Sequence, residues 1–344
     1  MKNNRFAALD GLRAIFGMGI VIYHINTWFG SPLPYLLYPV YRYGGYFGNY
    51  MFFIISGLLI SLRYKERLLN GECSLRQFIS KRLRRLYPVY FLSNLAMILW
   101  GNVKLSLSKT CATFLMIATG WFYGGDTPYN SPAWFICVLM ICYIIYFAVC
   151  KISSRFPAAY LFFCCSLVIC GAVLEVLDRN IPFLYRVCGE GYMNFFLGAL
   201  LGDIYTAANA YRQQSPKAKM LVKHLAICTA ACVSIALLFL LAFQDMPGDL
   251  RWWITFISAG LIIPALSGGV FSRILSILPL QVMGKCSLSL TLWHIPLNQL
   301  WQKAVSLLYP SLNINVSFIL YLLFTISISL LSYRFLEQMF HKTR

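Results

Sequence analysis

A-L-D-G-L-R-A-I-F-G-M-G-I-V-I-Y-H-I, Ala8 to Ile25, is the first long apolar stretch of the chain, and it carries two costly side chains, Arg13 and His24. Eleven residues at about 100° each make just over three turns, so both side chains fall on nearly one helix face. Along the axis they stand roughly 16 Å apart, about half of a bilayer's apolar thickness. An arginine in mid-membrane costs about 2.5–3.5 kcal/mol on insertion scales and is usually retained for function. A guanidinium at the membrane edge and an imidazole at depth, aligned on one stripe, describe a polar track. The alternative is that Arg13 snorkels to the headgroups while His24 hydrogen-bonds a neighbouring helix. The pair alone leaves both readings open.

Composition points the same way. Of 344 residues 59% are hydrophobic and 12% charged, with a mean hydropathy of +0.67. A soluble domain carries about a quarter charged residues, so the chain belongs in a membrane. Its net charge of +18 does not point to nucleic acid, because the basic residues alternate with long apolar runs instead of forming one patch. The twelve Cys lie mostly in apolar segments, among them Cys137, Cys142, Cys164, Cys165 and Cys228. With no C-x-x-C pair near a His, neither zinc nor a disulfide framework is indicated, and no bound cofactor is expected. Packing is the simplest role for these thiols. Lys2, Arg5 and Arg13 ahead of an apolar run imitate a secretory signal, but Phe47–Leu62 follows as a second span and no small-x-small cleavage site intervenes. The first run is therefore expected to be a retained signal anchor.

Ten apolar segments are long enough to cross a bilayer, at about 14–30, 46–62, 86–100, 133–150, 158–177, 191–207, 222–243, 252–267, 286–307 and 316–334. A further run, Cys111–Trp121, is short and reads as re-entrant or interfacial. With both termini on the cytoplasmic side, only Arg42, Lys104, Lys109, Arg179, Arg186, Arg251 and Lys303 of the 29 basic residues face outward. Counting 111–121 as a full span would move the Arg212–Lys223 cluster outside, against that bias. The expected architecture is all-α, one polytopic domain over residues 1–344, with about ten spans. The longest outer loop, between Gly101 and Pro132, holds the turn-rich Gly124-Gly125-Asp126-Thr127-Pro128. About ten residues follow the last span, so no second soluble domain is expected within this sequence.

Four motifs carry chemistry. In F-I-S-K-R-L-R-R-L-Y-P-V-Y (Phe78–Tyr90), Lys81, Arg82, Arg84 and Arg85 stand at the mouth of the third span. Four cations in five residues repel one another unless an anion neutralises them, and Arg forks suit phosphate oxygens. The alternative is a topogenic cluster touching anionic lipid. In M-F-F-I-I-S-G-L-L-I (Met51–Ile60), Ser56-Gly57 is a small-residue notch for close helix packing or for a thin ligand chain. In G-K-C-S-L-S-L-T-L-W-H-I-P-L (Gly284–Leu297), His294 precedes Pro296, whose missing N–H frees a carbonyl. His294 is either a proton relay or a satisfied core residue. In S-Y-R-F-L-E-Q-M-F (Ser332–Phe340), Arg334 and Glu337 stand at i, i+3 and suggest a terminal ion pair.

Together these elements resemble the integral-membrane acyltransferases of family 3. The likeness rests on L-D-G-L-R-A-I with His24 eleven residues after Arg13, F-F-I-I-S-G-L-L-I, K-R-L-R-R-L-Y-P, F-F-L-G-A-L-L-G (Phe195–Gly202), G-K-C-S-L-S-L-T-L-W-H-I-P and S-Y-R-F-L-E, in that order along nearly the whole chain. The resemblance implies a bacterial inner-membrane, multi-pass enzyme that transfers acyl groups, commonly acetyl from acetyl-CoA, to hydroxyls of surface glycans such as O-antigen lipopolysaccharide or exopolysaccharide. It implies catalytic roles for Arg13 and His24 and acyl-CoA binding by Lys81, Arg82, Arg84 and Arg85. Asp10, Ser56, Trp134 and His294 are expected in support. Partners would then be acyl-CoA, a glycan or lipid-linked glycan acceptor and membrane lipid, with no nucleic acid.

One departure stands out. Many relatives carry W-S-L-x-x-E at the start of the fourth span; here Trp134-Phe135-Ile136-Cys137-Val138-Leu139 puts Leu139 where the Glu would be. Asp10, Asp126 and Glu190 are the carboxylates available to replace it. The extra esterase-like domain fused to some relatives is also missing from the sequence. Rival readings are a polyprenyl-linked glycan polymerase or flippase, expected to display basic residues in large outer loops, and a small-solute transporter with His24 and His294 as relays. Lack of a clear inverted repeat argues against the transporter. A structural membrane scaffold is the non-catalytic rival.

Overall fold

The computed structural model describes residues 6–26, 28–30, 38–122, 127–177, 181–242 and 250–338, and among these the regular structure is entirely helical. The helices are α1 (Ala7–Ile25), α2 (Tyr38–Leu69), α3 (Leu75–Trp100), α4 (Leu107–Phe114), α5 (Trp134–Ser153), α6 (Ala158–Leu177), α7 (Arg186–Arg212), α8 (Pro216–Ala242), α9 (Leu250–Leu266), α10 (Val270–Leu275), α11 (Leu278–Lys285), α12 (Ser287–Leu308) and α13 (Ile314–Ser332). Each of the ten apolar segments overlaps one of them. Among the described residues, six helical segments are long and apolar enough to cross a membrane: Ala7–Ile25, Arg42–Leu69, Ser131–Ser153, Ala158–Leu177, Pro216–Ala236 and Ile314–Glu337. The short run at 111–121 is shared between α4 and the turns after it. Eight residues of helix rise only about 12 Å, too little for a crossing.

Burial sorts these segments into two sets. In α1, α2 and α5 the most apolar windows are 56%, 67% and 72% buried, against 28%, 17% and 28% for the segments of α6, α8 and α13. The outer set exposes large apolar side chains such as Phe162 and Ile169, Leu221 and Leu225, and Ile319 and Leu323. Such faces suit lipid, whereas α1 sits inside. The predicted span 14–30 is corrected at both ends, because the helix begins at Ala7 and stops at Ile25. Arg13 therefore lies in the second turn of an internal helix and not ahead of one.

Small residues set how closely the central helices approach. A Cβ on Gly57 would strike the carbonyl oxygen of Phe195, and one on Gly198 would strike that of Ile54. The Ser56-Gly57 notch thus seats α7 against α2. Gly71, with φ of 73°, then turns the chain out of α2, and Ser74 caps α3 reciprocally with Gln77. That tight turn returns the basic start of α3 to the basic end of α2. The cysteines at 137, 142, 150, 164 and 188 are buried in the apolar core between α2, α3, α5, α6 and α7, as packing residues.

Candidate active site

His24, near the end of α1, lines a cavity of about 300 Å³ together with Tyr23, Tyr46, Asn49, Thr119, Ser131, Trp134, Arg186 and Glu190, among others. α1, the N-terminal halves of α2, α5 and α7, and the loop before α5 converge there. The imidazole of His294 packs beside it, with ring centroids 5.2 Å apart. His294 is fully buried, and its Nδ1 lies 2.7 Å from the carbonyl oxygen of Thr291. A carbonyl only accepts, so Nδ1 carries the hydrogen and Nε2 is left as an acceptor. That Nε2 is buried without a hydrogen-bond partner. A satisfied core histidine uses both nitrogens; this one uses one.

Pro296 explains how His294 is held. Without its N–H the carbonyl of Leu292 loses its helical donor, and Asn130 Nδ2 donates to it at 2.7 Å. The N–H of Asn130 in turn donates to Asn94 Oδ1 of α3 at 2.8 Å. The carbonyl of Pro296 accepts from Trp100 Nε1 at 2.7 Å, and that of His294 accepts from the Tyr321 hydroxyl. The proline defect is thereby converted into ties from α12 to α3, α13 and the loop before α5.

The other end of α1 is cationic. Arg13 pairs with Asp10 at 3.3 Å. Arg85 and Arg63 bring like charge within its electrostatic reach, and Tyr143 faces the same group. The four cations of the α3 motif divide by burial, with Arg82 inside and the other three exposed. Arg82 is 7% exposed, with its guanidinium 3.9 Å from the Tyr64 ring centroid and 4.2 Å from that of Phe78. It also donates to the carbonyl of Phe78 at 3.1 Å. Lys81, Arg84 and Arg85 are exposed, and of these Arg85, three residues beyond Arg82, lies within electrostatic reach of Arg13. Ser56 lies beside the Tyr143 hydroxyl and so belongs to this end.

Glu337 departs from expectation. The last turn is a π-helix, Tyr333–Glu337, which leaves Arg334 exposed and turns Glu337 inward, 3% exposed. The predicted i, i+3 pair is replaced by a directed chain. Trp293 Nε1 donates to Ser332 Oγ at 2.9 Å, Ser332 and Ser289 lie 3.0 Å apart, and Ser289 donates to Glu337 Oε1 at 2.7 Å. Ser289 has one hydrogen and gives it to the carboxylate, so Ser332 must donate to Ser289. Arg85 and Arg13 both stand within electrostatic reach of Glu337.

Between the two ends the interior is apolar. Phe52, one turn from Asn49 and one from Ser56 along α2, stacks on Phe135 with centroids 6.2 Å apart and lies over Gly17 of α1. Leu139, one turn beyond Phe135 and one short of Tyr143, is 4% exposed in the core. Of the carboxylates suggested in place of the absent Glu, Asp10 is at the Arg13 end, Glu190 lines the His24 cavity, and Asp126 lies outside the described residues.

Trp134, Asn49 and Glu190 therefore meet His24, while Asp10, Ser56, Arg82 and Arg85 gather with Arg13. Tyr143 and Asn130 were not legible in the sequence. One is a hydroxyl inside an apolar run, and the other is a loop amide whose partner is created by a proline far along the chain.

The sequence profile of the family described as "Acyltransferase domain" matches residues 6–334. O-acetyltransferase OatA of Staphylococcus aureus (strain NCTC 8325 / PS 47) is 27% identical over 355 residues, covering 96% of this chain and 56% of OatA. A second Staphylococcus aureus protein (strain COL), provisionally named an O-acetyltransferase, is 27% identical over 391 residues, covering 99% of this chain and 58% of that protein. The chain thus spans little more than half the length of these relatives. No solved structure matches it significantly. The motif order, the all-helical bundle and a profile match across nearly all residues agree, and the chain belongs to the integral-membrane acyltransferase-domain family.

Proposed function

We propose that this chain is a membrane O-acyltransferase that moves an acyl group, acetyl in the simplest case, from acyl-CoA to a hydroxyl of a cell-surface glycan or lipid-linked glycan. The observation that carries this reading is the two-ended inner helix α1. Its Arg13 stands among guanidiniums, and its His24, three turns away, opens onto a polar cavity instead of lipid.

The phosphates of acyl-CoA suit the Arg13, Arg63 and Arg85 end, where like charges need an anion. Arg82, stacked on Tyr64 and Phe78, fixes the wall beside them. The pantetheine arm is thin and mostly apolar, and it passes the Phe52–Phe135 stack toward His24. There an acceptor hydroxyl gives its proton to His24 as its oxygen attacks the thioester carbonyl. The new C–O bond forms, the C–S bond breaks, and the thiolate leaves with the electron pair and takes the proton from His24. The buried Nε2 of His294 lies beside this ring as a second proton acceptor. Attack by His24 itself, giving an acyl-imidazole that the hydroxyl then opens, uses the same geometry. We further propose ten spans with the Arg13 end and both termini at the cytoplasmic face of a bacterial inner membrane, in keeping with the basic bias of that end.

The test is label transfer. Membranes containing the chain and radiolabelled acetyl-CoA are expected to place label in saccharide, and His24→Ala membranes with equal protein are not. Label absent from saccharide in both, or undiminished in His24→Ala, overturns the proposal.

A further inference from the structure

Arg186 and Glu190 form an ion pair at 2.9 Å, with side chains 32% and 4% exposed, and both line the His24 cavity. Nothing in the transfer step described above uses them. Helix physics does not account for Arg186, which is the first residue of α7, where the macrodipole disfavours a cation. Nor does stability account for Glu190, because burying a charge in an apolar bundle is costly even when it is paired. The pair is also braced from behind. Asn194 Nδ2 donates to the carbonyl of Glu190 at 2.9 Å, and Thr255 Oγ1 donates to Asn194 Oδ1 at 3.0 Å, both buried. These bonds hold the turn of α7 that aims the carboxylate.

We propose that the Arg186–Glu190 pair reads the acceptor, binding an uncharged sugar ring by adjacent hydroxyls so that one of them faces His24. This rests on the acyl-transfer reading above. A carboxylate accepts from two neighbouring hydroxyls and a guanidinium donates to ring oxygens, which is a fork that a polyol matches. Among the described lining residues the one cation and one anion cancel, which leaves no spare counter-charge for an ionised acceptor. A uronic acid would compete with Glu190 for Arg186 and be repelled by it. Trp134 and Tyr46 offer apolar faces to the C–H side of such a ring, and Asn49 and Ser131 add neutral hydrogen-bonding groups. The volume, about 300 Å³, is at the small end of ligand sites and fits one ring in preference to a long segment.

The experiment uses the full chain in proteoliposomes with labelled acetyl-CoA and two acceptors, methyl hexosides and methyl hexuronides. Saturation-transfer NMR is recorded on the same samples to read binding without turnover. The neutral hexoside is expected to bind and take label in preference to the uronide. Glu190→Gln and Arg186→Lys are each expected to raise the acceptor KM at least tenfold and leave the acetyl-CoA KM unchanged. Glu190→Asp should recover part of the loss. A uronide preference, or an unchanged acceptor KM in Arg186→Lys, overturns the proposal whether or not Glu190→Gln folds. If no saccharide takes label but the hexoside shows saturation transfer that Glu190→Gln abolishes, acyl transfer fails and the sugar site stands. Absence of both label and saturation transfer overturns this proposal as well.

Discussion

The two ends of α1 are built on opposite electrostatic terms. At the His24 end charge is balanced, with Arg186 against Glu190 and neutral hydroxyls, amides and rings completing the cavity wall. At the Arg13 end charge is in surplus: Arg13, Arg63 and Arg85 gather with Asp10 and Glu337. A balanced site receives a neutral ligand with little reorganisation, whereas a surplus of cations around the half-buried Arg13 is relieved by a polyanion. The Phe52–Phe135 stack and Leu139 put an apolar stretch between the two charged environments, which suits the thin, mostly apolar arm proposed to run between them. The two-substrate transfer proposed above calls for such a division.

The comparison can be broken most severely at His24. His24→Ala is expected to lower label transfer by at least about 100-fold, the usual contribution of a general acid–base group, with membrane insertion unchanged. Transfer assays with immunoblotted membranes check both. Arg13→Gln should act on the other end only. Loss of a charged hydrogen bond, about 1.5–3 kcal/mol, predicts a rise of about ten- to a hundredfold in the acetyl-CoA KM with an unchanged acceptor KM. A change confined to the acceptor KM would dissolve the distinction between the ends.

A third variant tests the scaffold rather than the chemistry. Asn130→Ala leaves the Leu292 carbonyl without a donor and should cost about 1–3 kcal/mol, read as a lower melting temperature of the purified protein. The smallest effect is expected at Arg84→Ala. Arg84 is exposed, and a surface charge is worth about 0–1 kcal/mol, so donor KM should shift less than about fivefold. Arg82→Ala should exceed it, because that change also removes buried stacking on Tyr64 and Phe78. Equal effects from the two would restore the reading of the α3 motif as one undivided patch.

Much of the fold was legible because apolar run length and helical period are local properties. Each predicted span overlapped a helix, and the Arg13–His24 spacing placed both on one internal stripe. The Ser56-Gly57 notch was legible for the same reason, since small residues permit close approach whatever the partner. Where the reading went astray, the deciding fact was not local. Whether Arg82 faces inward and Arg84 outward depends on which side of α3 meets α2 and α5. Whether Glu337 pairs with Arg334 or with Ser289 depends on a single π-helical turn, which rotates the side chain away from its i−3 neighbour.

Sequence by itself determined that this is a membrane bundle of helices with a titratable ring and a guanidinium on one face, because hydropathy and a 3.6-residue period need no knowledge of partners. Only the tertiary structure decided which groups join them. His294 was brought against His24, Glu190 to the same cavity, and Arg63 and Arg85 to Arg13, from helices far apart in the chain. Side-chain company is set by how helices pack, and packing distance is not written in the spacing of residues along any one of them.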